Sequence, residues 1–99
     1  MFFGDDLSAA DAKELGLVNR VVPGAELQQT AKEWAERLAS GPTIAIGHAK
    51  RLINRSLESD RTGAFLEEAW AQEAVNGSGD AREGMTAFAE RRQPEFKGW

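Results

Sequence analysis

Leu17-Val18-Asn19-Arg20-Val21-Val22-Pro23-Gly24 decides how the rest of this sequence is read. Its first six residues are rich in β-branched side chains, and Pro-Gly closes them off, which is the composition of a strand and its turn. The flanking segments read as helix, so this is the single strand candidate in 99 residues. A lone strand has no ladder partner. Its N–H and C=O groups form an open edge, which stable domains cover or avoid. Burying such groups unpaired costs roughly 1–3 kcal/mol each. A few of them rival the whole stability of a small domain, about 5–15 kcal/mol. Two readings are open: the segment is not a strand, or its partner strands are encoded upstream of Met1. The second would make the chain a fragment, and the apolar opening Met1-Phe2-Phe3, with no polar lead-in, points the same way.

Working outward, residues 7–16 read as a short helix, with Ser8 as N-cap, Asp11 at the third helical position and Gly16 as the stop. Beyond the strand candidate, residues 25–40 place Leu27, Ala31, Trp34, Ala35 and Leu38 on one face of an amphipathic helix that Gly41-Pro42 ends. Pro42 suits the first turn of a third helix running to about Leu57, with Ile46, Ala49, Leu52, Ile53 and Leu57 inward. A fourth begins near Asp60 or Thr62, carries Phe65, Leu66, Ala69, Trp70 and Ala74, and stops at Asn76-Gly77. Asp80-Ala81-Arg82-Glu83 has capping-box spacing and opens a fifth helix, with Met85, Phe88 and Ala89 on one stripe. The tail after Arg92 reads as extended. Trp34, Phe65, Trp70 and Phe88 sit at helical spacing and are expected in the core; Phe65 and Trp70 have the alternative of lining an apolar ligand pocket.

Composition narrows the function. Twelve Lys and Arg against sixteen Asp and Glu give a net charge of −4, which argues against bulk nucleic-acid binding and against adhesion to anionic lipid. The absence of cysteine excludes disulfides, thiolate catalysis and Cys-ligated metal, and the single histidine, His48, leaves a metal or triad site without partners, so no metal is expected. The longest uncharged run, residues 38–47, is interrupted by Pro42 and too short to span a bilayer. The expectation from these features is a soluble, cytoplasmic chain, with Met1-Phe2-Phe3 followed at once by Gly4-Asp5-Asp6 not reading as a signal or transit peptide.

No nucleophile elbow, zincin motif, Walker loop or dinucleotide loop is present; Gly77-Ser78-Gly79-Asp80 is a turn and helix cap. Asp5-Asp6 and Glu67-Glu68 resemble acid–base pairs only on paper, because sequence neighbours on a helix point in different directions. His48 shares its helix with Lys50, Arg51 and Arg55 and reads as a surface or boundary residue. Residues 41–61 carry a net +2 between flanks of −3 each, and Arg91-Arg92 with Lys97 follow the fifth helix. Cations there answer the helix macrodipole, or alternatively hold a ligand phosphate.

The run from Ser8 to Pro23, SAADAKELGLVNRVVP, resembles a stretch of the enoyl-CoA hydratase/isomerase (crotonase) family. The likeness continues through Gly41-Pro42 and Ala49-Lys50-Arg51-Leu52-Ile53, and resumes from Ser78 to Gly98, SGDAREGMTAFAERRQPEFKG. It covers essentially the whole chain in order. The resemblance implies a mainly α chain: the C-terminal helical (trimerisation) region of the crotonase ββα-spiral fold with one residual β-strand. Residues 1–24 would be the last helix–strand unit of the spiral core and residues 25–99 the C-terminal helical region. In the family, two backbone N–H groups form an oxyanion hole for the thioester oxygen, and paired glutamates move water and protons. Those segments lie upstream of the part matched here, so no catalytic residue is carried over.

What the resemblance does carry over is a cofactor contact. A cation on the family's last helix approaches the phosphates of coenzyme A, and the matching run Glu90-Arg91-Arg92 assigns it to Arg91, with Lys97 as a second candidate. The expectation is therefore a C-terminal part of an enzyme of acyl-CoA and fatty acid metabolism, with 2-enoyl-CoA hydration as the parent reaction. Such a part would be inactive alone, without a covalently bound cofactor, and would use a coenzyme A thioester as substrate in a homo-oligomer (a trimer or dimer of trimers). An autonomous helical interaction module is the alternative, and a small acyl-CoA-binding bundle a third reading with a thinner basis.

Overall fold

The computed structural model describes residues 3–99; Met1 and Phe2, part of the apolar opening, lie outside the described residues. Five α-helices follow one another: α1 (Ala9–Glu14), α2 (Leu27–Ala39, entered through a 3-10 turn at Gly24–Glu26), α3 (Thr43–Ser56), α4 (Arg61–Asn76) and α5 (Gly79–Glu90). The chain divides into two compact units, the first ending at Glu33 and the second comprising Trp34–Trp99.

In the first unit, the Ser8 hydroxyl caps α1 by accepting the Asp11 N–H at 3.1 Å and donates to the Asp11 carboxylate at 2.6 Å. Gly16 ends the helix in the left-handed region at φ 75°. The Leu17 N–H reaches back to the Ala12 carbonyl at 2.8 Å and the Gly16 N–H to Lys13 at 3.0 Å, the paired bonds of a Schellman stop. The strand expectation is corrected here. Residues 17–22 form neither helix nor ladder, and no strand occurs among the described residues. The physical reason is pairing: β-branched side chains favour extended backbone, but a strand requires a second one to receive its hydrogen bonds. Leu17 remains 66% exposed.

In the second unit, α3 packs on α4 and α4 on α5. Gly41 permits the tight passage from α2 into α3, since a Cβ there would stand 3.0 Å from the Ile46 side chain. Asp60 caps α4 by accepting the Gly63 N–H at 2.7 Å. Arg55 of α3 ties to Glu67 of α4 at 3.1 Å and to Glu58 at 3.7 Å. These exposed pairs contribute under about 1 kcal/mol each.

Packing departs from expectation. The buried apolar residues among those described are the small Ala71 and Ala87. Trp34, Phe65, Trp70 and Phe88 are not core residues; Trp70 is 75% and Phe88 87% exposed. Ile53 and Leu57, expected inward, are exposed as well. Periodicity identifies an apolar face but not whether anything covers it. Across α3, α4 and α5 full burial reaches only Ala71 and Ala87 among the described apolar residues, while Ile44, Ile46 and Leu52 are half-buried and the aromatic rings of Phe65, Trp70 and Phe88 are exposed.

Gly16→Ala is expected to destabilise the first unit by about 1–2 kcal/mol, because an L side chain must adopt the left-handed conformation there, although open space surrounds the position. Gly24→Ala, equally open and without a positive φ, should change stability by no more than a few tenths of a kcal/mol. Urea unfolding of the two variants tests the contrast.

Candidate functional site

Both cations singled out from the sequence follow α5, whose start decides their surroundings. Ser78, 7% exposed, is the N-cap. Its hydroxyl accepts the Ala81 N–H at 3.0 Å and donates to the Val75 carbonyl at 2.7 Å. The capping-box assignment to Asp80 is thereby corrected. With Ser78 on the helix end, the Asp80 carboxylate turns to the returning tail, where Oδ1 accepts the Lys97 N–H at 2.7 Å and Oδ2 the Gly98 N–H at 2.9 Å. The Asp80 N–H donates to the Trp99 carbonyl at 3.2 Å. Asp80 is 4% exposed, and these bonds satisfy a charge that would be costly to bury alone.

Glycines make this closure possible. A Cβ on Gly79 would lie 2.7 Å from the Trp99 ring. Gly98 has φ 78°, and its Cβ would meet Thr43 Oγ1 at 2.7 Å, so both backbone conformation and space require glycine there.

One turn along α5, Glu83 holds the other end of the tail. Arg92 grips it with two prongs, Nη1 to Oε1 at 2.6 Å and Nη2 to Oε2 at 3.0 Å, and the Glu95 N–H adds a bond to Oε1 at 2.8 Å. The Arg92 hydrogen bond and then the Glu95 N–H hold the Glu83 carboxyl at about 2, below its ordinary 4.5. The same contact, with Glu90 accepting from Arg92 Nε at 2.6 Å, raises the Arg92 guanidinium above its usual range. Arg92 is thus consumed internally.

Arg91 is different. It takes the left-handed position that stops α5, at φ 56° and ψ 37°. Its N–H bonds to the Phe88 carbonyl, and the Arg92 N–H bonds to the Ala87 carbonyl at 3.0 Å. This is the stop that Gly16 makes for α1, built on a residue that strains to adopt it. The side chains of Arg91 and Lys97 are exposed and form no ion pair among the described residues. Lys97 lines a shallow cavity of about 300 Å³ with Asp80, Glu83, Thr86 and Trp99; Arg91 is not part of its wall.

Other candidates fall elsewhere. His48 is half-buried on α3 and shares a cavity of about 290 Å³ with Arg51, Glu67 and Trp70. Glu67 is engaged by Arg55, so Glu67-Glu68 is not a free acid–base pair, and Asp5 and Asp6 are exposed outside any helix. No helix among the described residues is long and apolar enough to cross a membrane. Sequence reading missed the roles of Asp80 and Glu83. The signal for them was their spacing of three residues on one helix face, beside glycines at 79, 84 and 98.

The depressed Glu83 carboxyl fixes a pH dependence. A folded-state value below the unfolded one stabilises the fold fully above about 4.5, and that contribution is lost as pH falls towards about 2. The carboxyl carbon of Glu83, followed by NMR, is expected to titrate near 2, and Glu83→Gln should abolish this portion of the acid sensitivity.

Comparison with known proteins places the chain. Residues 1–99 match the family model for enoyl-CoA hydratase/isomerase. The short-chain-enoyl-CoA hydratase of Clostridium acetobutylicum is 36% identical, over 96% of this chain and 36% of that protein. The 1,2-epoxyphenylacetyl-CoA isomerase of Escherichia coli is 38% identical, over 96% of this chain and 36% of its own length. The crystal structure of an enoyl-CoA hydratase from Bacillus anthracis aligns with a TM-score of 0.90 at 40% identity, covering 99% of this chain and 38% of that one. The chain therefore spans little more than a third of the length of these relatives. On these matches, together with its helical order, the chain belongs to the enoyl-CoA hydratase/isomerase family.

Proposed function

We propose that this chain works within an assembly of the enoyl-CoA hydratase/isomerase type acting on acyl-CoA thioesters, with 2-enoyl-CoA hydration as the reaction of the whole. Its part is subunit association and a share of the coenzyme A and acyl pocket, and it is inactive alone. One observation carries this reading: the helices bury Ala71 and Ala87 while leaving Phe65, Leu66, Trp70, Met85 and Phe88 exposed. Apolar faces of this size on separate helices suit association with further protein, and Phe65 and Trp70 suit the wall of an acyl pocket completed by it.

Arg91 and Lys97 supply the coenzyme A contact. A phosphate is held by cations whose donors are not already spent. Arg92 spends its donors on Glu83, Glu90 and the Gln93 carbonyl. Arg91 and Lys97 keep their charges at the surface, where a guanidinium fork and an ammonium can meet phosphate oxygens. The chemistry on the thioester belongs to groups outside this chain, in keeping with the engagement of Glu67 by Arg55.

Two outcomes test the proposal. A clean preparation of the chain should not hydrate a 2-enoyl-CoA above background and should self-associate or melt non-cooperatively; turnover would overturn the reading, and a monomer or defined oligomer with cooperative unfolding would favour the autonomous-module reading instead. Titration with coenzyme A should perturb the amide resonances around Arg91 and Lys97. Arg91→Glu is expected to weaken this binding about fivefold, the loss of one exposed charge-assisted contact worth about 1 kcal/mol.

A further inference from the structure

Four contacts from the tail between Arg92 and Trp99 end on two carboxylates of α5, beside the bond from the Asp80 N–H to the Trp99 carbonyl. Arg92 and the Glu95 N–H close on Glu83; the Lys97 and Gly98 N–H groups close on Asp80. Asp80 and Glu83 lie three residues apart, so both project from one face of α5. Asp80 is buried and is not required as the helix cap, because Ser78 already fills that role. An apolar residue at position 80 would pack more cheaply unless the tail needed holding.

The cost at the turn points the same way. Arg91 adopts a left-handed conformation that a glycine would take without strain, and the residue after it is clamped by Glu83 in a two-pronged bridge. The clamp holds the strained turn closed. It also leaves the Arg91 guanidinium exposed beside a guanidinium that is fully engaged. At the far end, Lys97 has its backbone 2.7 Å from a buried carboxylate while its ammonium remains exposed. Both acids direct their oxygens at N–H donors of the tail, and the Lys97 charge also acts on Glu83.

We infer that Asp80 and Glu83 are positioning residues: together they latch the tail to α5 and so set where Arg91 and Lys97 present their charges to the phosphates of a coenzyme A-type ligand. The inference rests on the coenzyme A reading above. It assigns to two acids an indirect part in binding an anion that they would repel on contact.

The test is amide exchange and coenzyme A titration on the ¹⁵N-labelled full chain, with Asp80→Ala, Asp80→Asn and Glu83→Ala, and Glu68→Ala as an exposed control. Asp80→Ala should speed exchange of the Lys97 and Gly98 amides about tenfold or more, and Glu83→Ala that of Glu95, with helix content by circular dichroism unchanged. Each should also weaken coenzyme A binding about threefold or more. Asp80→Asn, which keeps one acceptor oxygen, should recover Lys97 protection and most of the affinity, a rescue that general destabilisation would not give. Glu68→Ala should change neither readout. Unprotected tail amides in the unaltered chain would overturn the latch itself. Amides released without any change in coenzyme A affinity would overturn the positioning role alone. Failure of the unaltered chain to bind coenzyme A, with the amides behaving as expected, would overturn the coenzyme A reading and with it the positioning role.

Discussion

A short helix is stable in a protein mainly because its apolar stripe is covered, since propensity alone leaves isolated helices of 12–15 residues marginal. In this chain that cover reaches alanines. Ala71 and Ala87 are enclosed while Trp70 and Phe88, on the same two helices, face outward. Small residues let the helices approach closely but remove little apolar area from water, and the large aromatic rings are left in surplus. Local hydrogen bonding at the caps accordingly does much of the shaping, and the outward apolar faces connect the fold to the proposed role in association.

Electrostatics take over where apolar packing is thin. The tail lacks regular structure and is held to α5 by two carboxylates, together with the Trp99 carbonyl on the Asp80 N–H and the Trp99 ring over Gly79. A bidentate guanidinium and three backbone N–H groups converge on Glu83 and Asp80, and charge-assisted bonds of this kind are about twice as strong as neutral ones. The arrangement divides two adjacent arginines between different duties. Arg92 is bound into the structure, and Arg91 is carried at the surface on a strained turn. The same Schellman geometry at α1 uses Gly16, which takes the left-handed conformation at no steric cost.

Much of the helical order was legible in the sequence because its signals are local. Ser8, Asp60, Gly16 and the Asn76-Gly77 stop act on backbone groups within a few residues, and the observed helices begin and end within a residue or two of where those signals fall. The fifth helix shows the limit. Ser78 and Asp80 are both capable caps, and the choice between them depends on a tail that arrives seventeen residues later at Asp80. The residue that loses this competition for the helix end gains the tail amides, an outcome that no window of local sequence contains.

By itself, the sequence determined the five helices, the family resemblance carried by residues 8–23 and 78–98, and the two cations that follow α5. These depend on capping chemistry, period and motif order, all of which are properties of near neighbours along the chain. The tertiary structure alone decided three things: that residues 17–22 form no ladder among the described residues, that the aromatic stripes stay exposed, and that Arg92 rather than Arg91 is spent on Glu83. The reason is the same in each case. Pairing, burial and ion-pair choice are relations between distant segments, and a side chain's chemistry states what it can bind but not what the fold brings within reach.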